Sequence, residues 1–192
     1  MKIVLASGNA GKLVEMREIL GGEFELVAQR DLKIADVDET GATFVENAIL
    51  KARNAARLSG LPALGDDSGL CVDALSGAPG LYSARYAGAH GDAKANIAKL
   101  LEALRDEPDR NAYFYCCVVL LRHADDPAPI IGEGRWFGRI LDAPRGERGF
   151  GYDPIFFDPK LDAGAGELDA SAKNRVSHRG QALASLRAQL KR

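Results

Sequence analysis

Four stretches of this 192-residue chain carry residue types whose spacing could do chemistry. The first is Ser7-Gly8-Asn9-Ala10-Gly11-Lys12, between an apolar run and an amphipathic one. Two glycines, two short polar side chains, backbone N–H groups and a lysine at a helix start make an anion cradle. It is not a Walker A loop, which needs four residues between its glycines and Ser or Thr after the lysine. Here Leu13 follows Lys12, and the plainer alternative is a strand-to-helix turn with a surface lysine. The second stretch is Gly65-Asp66-Asp67-Ser68-Gly69. Adjacent carboxylates are costly unless something positive offsets them. Mg²⁺ suits that role, since it takes carboxylate oxygens together with substrate phosphates, and Glu39 in the acidic segment 31–46 could add a ligand. The alternative is a solvated turn capped by Asp66, against which stand the apolar flanks Leu64 and Leu70 to Val72.

The third stretch runs through residues 144–154, where Gly149 and Gly151 flank Phe150 and precede Tyr152 and Asp153. An aromatic ring on a glycine hinge suits base stacking, and Asp153 could accept from a ring N–H or orient a nearby cation. A turn with core aromatics is the alternative. The fourth is residues 170–192, with Lys173, Arg175, Arg179, Arg187, Lys191 and Arg192 and no acid. Ser177-His178-Arg179 falls at a helix start, which favours an acceptor or anion. Lys173, His178 and Arg179 are the site candidates. Arg187, Lys191 and Arg192 read more simply as charges favourable to a helix C-terminus, and His178 alone would more often be structural. Together the four supply a phosphate cradle, a metal site, a base platform and a polar clamp, the inventory for binding or hydrolysing a nucleoside triphosphate.

The elements that must position these groups follow from hydrophobic periodicity. Residues 2–6 predict a buried strand. Residues 11–20 predict a helix with Leu13, Met16, Ile19 and Leu20 on one face and Glu15, Arg17 and Glu18 on the other, and residues 24–27 a second strand. Thr43 and Glu46 have capping-box spacing, opening a helix to Ser59 that Gly60 stops. Its Asn47, Lys51 and Asn54 share one polar stripe. Residues 63–67 and 70–75 predict strands joined by a tight polar turn. Further expectations are a helix over 92–104, a strand over 113–121, two strands at 130–131 and 136–141 around Gly132 and Gly134, a loop over 144–153, and a C-terminal helix over 177–190. Helices and strands intermix, so the class is α/β with a mixed sheet.

Composition narrows the rest. With 25 Lys+Arg against 27 Asp+Glu the net charge is −2, which argues against wrapping nucleic acid by bulk charge but not against holding one small anion. Glycine is high, at 21 residues, yet aperiodic, which excludes collagen-like and low-complexity readings. The opening apolar run is too short for a signal peptide, and no run approaches the ~20 residues of a membrane span. Cys71, Cys116 and Cys117 form no CxxC pair and read as reduced, mostly buried thiols of a cytoplasmic protein; a catalytic thiol is the weaker alternative.

The residues 7–12, 43–51 (Thr-Phe-Val-Glu-Asn-Ala-Ile-Leu-Lys), 66–69, 77–86, 149–156 and 177–183 together resemble the inosine triphosphate pyrophosphatase family, house-cleaning enzymes for non-standard purine nucleotides. The resemblance spans essentially the whole chain as one domain, residues 1–192. It implies an elongated two-lobed α/β fold with a central mixed sheet flanked by helices, the active site in the cleft between lobes, and usually a homodimer. It implies Mg²⁺-dependent cleavage of dITP, ITP and XTP to the monophosphate and pyrophosphate. Carried over by position, Ser7, Gly8, Asn9, Ala10, Gly11 and Lys12 would hold the triphosphate. Glu39 and Asp67 would hold Mg²⁺, and Asp67 would accept the attacking water's proton. Ser68 would contact substrate and Lys51 would face the phosphates. Phe150, Gly151, Tyr152, Asp153, Lys173, His178 and Arg179 would form the nucleoside pocket. Ala172 departs from the family's pattern, which often has an acid there, and the 161–166 loop is Gly/Ala-rich and generic. Two rivals remain. Maf-type pyrophosphatases open with a Ser-Pro-Arg-Arg stretch after the first strand, absent here. A non-catalytic nucleotide-binding module would not need Lys12, Glu39, Asp66 and Asp67 together.

Overall fold

The computed structural model describes residues 1–190, so Lys191 and Arg192, expected as helix-end charges, lie outside the described residues. The strands form one seven-stranded mixed sheet. They are β1 (Lys2–Ala6), β2 (Glu25–Ala28), β3 (Ala63–Val72), β4 (Asn111–Leu121), β5 (Ile130–Ile140), β6 (Phe156–Asp158) and β7 (Ala163–Gly164), in the order β2-β1-β3-β4-β5-β6-β7. β1 pairs in parallel with both β2 and β3, whereas β6 is antiparallel to β5 and β7. Parallel neighbours require crossovers. Helix α1 (Ala10–Leu20) supplies the one from β1 to β2, and α2 (Phe44–Ser59) lies on the way to β3. The remaining helices are α3 (Ala93–Ala103), α4 (Ala170–Val176) and α5 (His178–Leu190).

The chain divides into two compact units. Unit 1 comprises Met1–Asp67, Cys116–Gly134 and the segment from His178. Its main core joins Ile3 and Leu5 of β1, Leu64 of β3 and Val118 and Leu120 of β4 to Leu13 and Met16 of α1 and Leu183 and Leu186 of α5. A smaller core joins Val4, Ala6 and Ala63 to Ala55 and Ala56 of α2. Alternation therefore gives successive strand residues to different helices: Leu64 belongs to the α1/α5 side and Ala63 to the α2 side. Unit 2 comprises Ser68–Tyr115 and Arg135–Ser177. Its core gathers Leu70, Val72, Leu100, Leu104, Trp136 and Ile155 around packed aromatics, with the Phe114 and Phe156 rings tilted at 47° and their centroids 4.7 Å apart. Trp136 Nε1 donates to buried Asp158 at 2.7 Å.

Thr43 caps α2 by accepting from the Glu46 N–H at 3.3 Å, and Gly60 closes it in the left-handed region at φ 68°. Both follow the expected capping box and glycine stop. Two expected breaks are absent. Residues 63–67 and 70–75 do not flank a turn: β3 runs unbroken through Gly65 to Gly69, and a 3₁₀ turn, Asp73–Leu75, follows it. Likewise 130–131 and 136–141 are one strand, β5. The glycines in both serve close approach rather than turning. A Cβ on Gly65 would run into the Ala48 carbonyl of α2, and one on Gly132 or Gly134 into the Ala182 or His178 carbonyl of α5. Helix α4 and the short strands β6 and β7 carry too little periodicity to stand out in sequence.

Candidate active site

The cradle residues sit where β1 gives way to α1. Asn9 is extended, and its side-chain oxygen accepts from the Lys12 N–H at 3.1 Å, capping the helix. Ser7 Oγ accepts from the Asn9 N–H at 3.2 Å. The two polar side chains thus fix the turn that aims the first-turn N–H groups outward. A Cβ on Gly8 would fall 2.5 Å from the Asp36 carboxylate and oblige that side chain to shift from where it accepts from Gln29. Ala10 and Gly11 form the first turn of α1. The Lys12 ammonium is not that of a surface lysine: its side chain is mostly buried and it lies 2.5 Å from Asp66 Oδ1.

Asp66 and Asp67 are both buried, at 1% and 5% exposure, which excludes the solvated turn. Being adjacent on β3, they point to opposite faces. On the α1/α5 side Asp66 accepts from Arg179 Nε at 2.9 Å and from the Cys116 thiol at 3.1 Å, besides pairing with Lys12. Arg179 also pairs with Glu15 of α1. Burial pushes the Asp66 carboxyl up, but Arg179 and Lys12 outweigh it and hold it well below the usual carboxylate range. Burial and the Asp66 charge together push the Cys116 thiol well up, so Cys116 is a neutral donor here. Among the described residues all three cysteines are free and buried.

On the α2 side Asp67 has the opposite balance. Burial pushes its carboxyl above the ordinary value, Lys51 and Lys12 oppose that, and Glu39 adds to it. Lys51 of α2 stands among three oxygens: Glu39 Oε1 at 2.7 Å, Asp67 Oδ1 at 2.8 Å and the Asp66 carbonyl at 3.1 Å. Burial works against its charge, but Asp67 and Glu39 outweigh that and raise its pKa. Asn47, one helical turn before Lys51, donates to Asp67 Oδ2 at 3.3 Å and accepts from the Gly41 N–H at 2.8 Å. It ties Asp67 to the loop that carries Glu39. Oxygens that surround one cation are the donor chemistry of a hard divalent ion, so Glu39 and Asp67 fit Mg²⁺. They would not hold it alone. Among the described residues there is no group of three or more His, Cys, Asp or Glu suited to a metal.

Unit 2 holds a second cluster. Gly149 and Gly151 adopt φ 79° and 61°, a left-handed bend that suits glycine. Between them Phe150 donates its N–H to Asp153 Oδ2 at 2.7 Å. Lys173 of α4 donates to the same oxygen at 2.6 Å and stands 4.8 Å from the centre of the Phe150 ring, within cation–π range. Asp153 therefore does orient a cation, and that cation is Lys173. The Tyr152 hydroxyl donates to the Ser83 carbonyl at 2.9 Å. Ser68, half-buried, opens this unit's part of β3.

The structure thus places Ser7, Lys12, Glu39, Lys51, Asp67 and Arg179 all in unit 1, Lys12 and Arg179 on Asp66 and Lys51 between Glu39 and Asp67 on the other face, with His178 buried at the start of α5. It brings Phe150, Asp153 and Lys173 together in unit 2. Glu15 is a correction: expected on the polar face of α1, it is 8% exposed and bound to Arg179. Its signal was its position one turn after Lys12, on the side that meets α5. Asn47 was visible only as a member of the Lys51 stripe. Cys116 gave no signal beyond its apolar run.

A mixed seven-stranded sheet, an Asn9-capped turn at the first strand–helix junction and a lysine held by two carboxylates define an α/β protein with a buried charged site beside its first and third strands. A sequence model of the Ham1 family matches residues 3–189, and the chain belongs to that family. It is 60% identical over 191 residues to a dITP/XTP pyrophosphatase of Xanthomonas campestris pv. campestris, covering 98% of this chain and 96% of that one. Among solved structures it is similar to a HAM1 protein from Coxiella burnetii, with TM-score 0.91, 51% identity, and 100% and 98% of the two chains covered. It is also similar to the Staphylococcus aureus Ham1 protein, with TM-score 0.88, 42% identity and the same coverage.

Proposed function

We propose that this chain is a hydrolase of non-canonical purine nucleoside triphosphates. It cleaves dITP, ITP and XTP to the nucleoside monophosphate and pyrophosphate and so clears them from the nucleotide pool. The observation that carries the reading is the pairing of opposite carboxylates on β3: Asp66 neutralised between Arg179 and Lys12, Asp67 left with a raised pKa beside Lys51. The 60% identical relative bears the name of this activity.

In this reading Ser7, Gly8, Asn9, Ala10, Gly11 and Lys12 hold the triphosphate at the N-terminus of α1, where N–H groups and the helix dipole favour anions. Glu39 and Asp67 hold Mg²⁺, which when bound offsets charge on the phosphates. Asp67 takes the proton of the attacking water, for which a buried carboxylate with a raised pKa is suited. Water oxygen bonds to the α-phosphorus, the bond from that phosphorus to the bridging oxygen breaks, and pyrophosphate leaves. Lys12 and Lys51 compensate the leaving group's charge. Ser68 contacts substrate, and Phe150, Gly151, Tyr152, Asp153 and Lys173 recognise the nucleoside, with Phe150 as stacking surface. A donor from His178 selects the 6-keto group of hypoxanthine and xanthine over the 6-amino group of adenine, whereas Arg179, expected beside it, is fully buried with its guanidinium on Asp66 and Glu15 and acts by holding Asp66. Homodimer assembly and a cytoplasmic location belong to the same proposal and rest on the family resemblance.

The test is pyrophosphate release from dITP, XTP, dTTP and ATP, with and without Mg²⁺. The expected result is turnover of dITP and XTP only, and only with Mg²⁺. Preference for dTTP or ATP, or no release at all, would overturn the reading.

A further inference from the structure

An ammonium has three N–H donors, and the Lys51 ammonium has three oxygen neighbours: Glu39 Oε1, Asp67 Oδ1 and the Asp66 carbonyl, at 2.7, 2.8 and 3.1 Å. Two of them are the carboxylates assigned above to the divalent ion. Both approach the same nitrogen, so the point they share already holds a positive charge. Mg²⁺ needs its oxygens at about 2.0–2.1 Å, and an ion held that way by both carboxylates would collide with Nζ. The two cations therefore exclude each other.

We propose that Lys51 is the resident cation of the Glu39–Asp67 site: it keeps the site closed to a divalent ion arriving alone and yields it when a polyphosphate offers the ammonium other oxygens. The proposal rests on the assignment of Glu39 and Asp67 made above. Two features fit an exchange of this kind. The Lys51 side chain is a flexible four-carbon stem on a helix whose backbone is fixed by its own cap and stop. Asp67 does not depend on Lys51 alone for its orientation, since its other oxygen accepts from Asn47, which is itself anchored to Gly41. The Asp67 carboxylate thus stays placed after the lysine leaves. The consequence is positive coupling between divalent ion and nucleotide, which by linkage is reciprocal.

The test is Mn²⁺ binding to the nucleotide-free full chain, followed by electron paramagnetic resonance and calorimetry. Lys51→Met removes the resident charge, Lys51→Gln removes it while keeping a donor, and Lys51→Arg keeps it. The expected result is at least tenfold tighter Mn²⁺ binding in Lys51→Met and in Lys51→Gln, wild-type weakness in Lys51→Arg, and loss of the gain when Glu39→Gln is added. Equal or weaker binding in the neutral variants overturns the proposal. So does a gain that survives Glu39→Gln, because the ion would then sit elsewhere. If Lys51→Met does not fold, Lys51→Gln against Lys51→Arg decides alone. Failure of the hydrolysis assay is a separate result: a wild type inert to dITP with a tenfold Mn²⁺ gain in Lys51→Gln sinks the functional reading and leaves Lys51 as resident cation.

Discussion

Asp66 and Asp67 are neighbours of one residue type on one strand, yet their surroundings are opposed. On the α1/α5 face Asp66 is surrounded by two cations and a thiol, and its carboxyl is held well below the usual range. On the α2 face Asp67 shares Lys51 with Glu39, and its carboxyl is raised. Both are buried and both feel two cations, so the difference lies with Glu39, the carboxylate that shares Lys51 and adds its own charge beside Asp67. A carboxylate with surplus positive charge anchors structure. One in competition for its partner keeps affinity for a proton or a metal.

The contrast can be broken at either residue. Asp66→Asn removes the counter-charge of Arg179 and Lys12 and leaves a buried guanidinium short of a partner. The expected loss is about 3–5 kcal/mol of stability, measured by denaturant unfolding, and a variant as stable as wild type would deny Asp66 its anchoring role. Asp67→Asn is expected to lose about 10²–10⁴ in kcat with the unfolding midpoint kept or raised. Near-normal dITP turnover by Asp67→Asn would remove it as proton acceptor.

The pH dependence sharpens the same comparison. Asp66 has a lowered folded pKa, so its stabilisation is present above the unfolded value of about 3.9 and is lost as pH falls from there through the lowered folded value. Asp67 has a raised folded pKa, so its contribution to stability is present below about 3.9 and is lost as pH rises through the raised value. Both variants should therefore differ little from wild type at acid pH and diverge from it in opposite directions as pH rises: Asp66→Asn less stable than wild type, Asp67→Asn as stable or more stable. The reverse pattern would interchange the two roles.

A smaller effect tests how α2 is set against Asp67. A Cβ at Gly65 would meet the Ala48 carbonyl and the Ala52 N–H, so Gly65→Ala is expected to cost about 1–3 kcal/mol and to lower kcat by displacing Lys51. The smallest expected effect is at the cap: Thr43→Ala costs about 1 kcal/mol and leaves the dITP-to-ATP preference unchanged.

Much of this was legible in the sequence where the signal is local. The cap at Thr43, the stop at Gly60 and the Asn9 turn before Lys12 all follow from residues within a few positions of each other. The unbroken β3 was not legible. Gly65-Asp66-Asp67-Ser68-Gly69 has a turn's composition, and only the helix backbone against Gly65 and the cations around Asp66 make it a strand. The same holds for Glu15, polar by periodicity and buried because Arg179, 164 residues on, needs a second carboxylate. Long-range charge compensation leaves no periodic trace, so the pairing of Asp66 with Arg179 could be seen only in three dimensions.

The central claim is attack of water on the α-phosphorus of a non-canonical purine triphosphate at the Asp67 face. Its most direct test is hydrolysis of dITP in ¹⁸O-labelled water, with products resolved by ³¹P NMR and mass spectrometry. The expected result is dIMP carrying the label and unlabelled pyrophosphate. Label in pyrophosphate, or release of orthophosphate and dIDP, would contradict it.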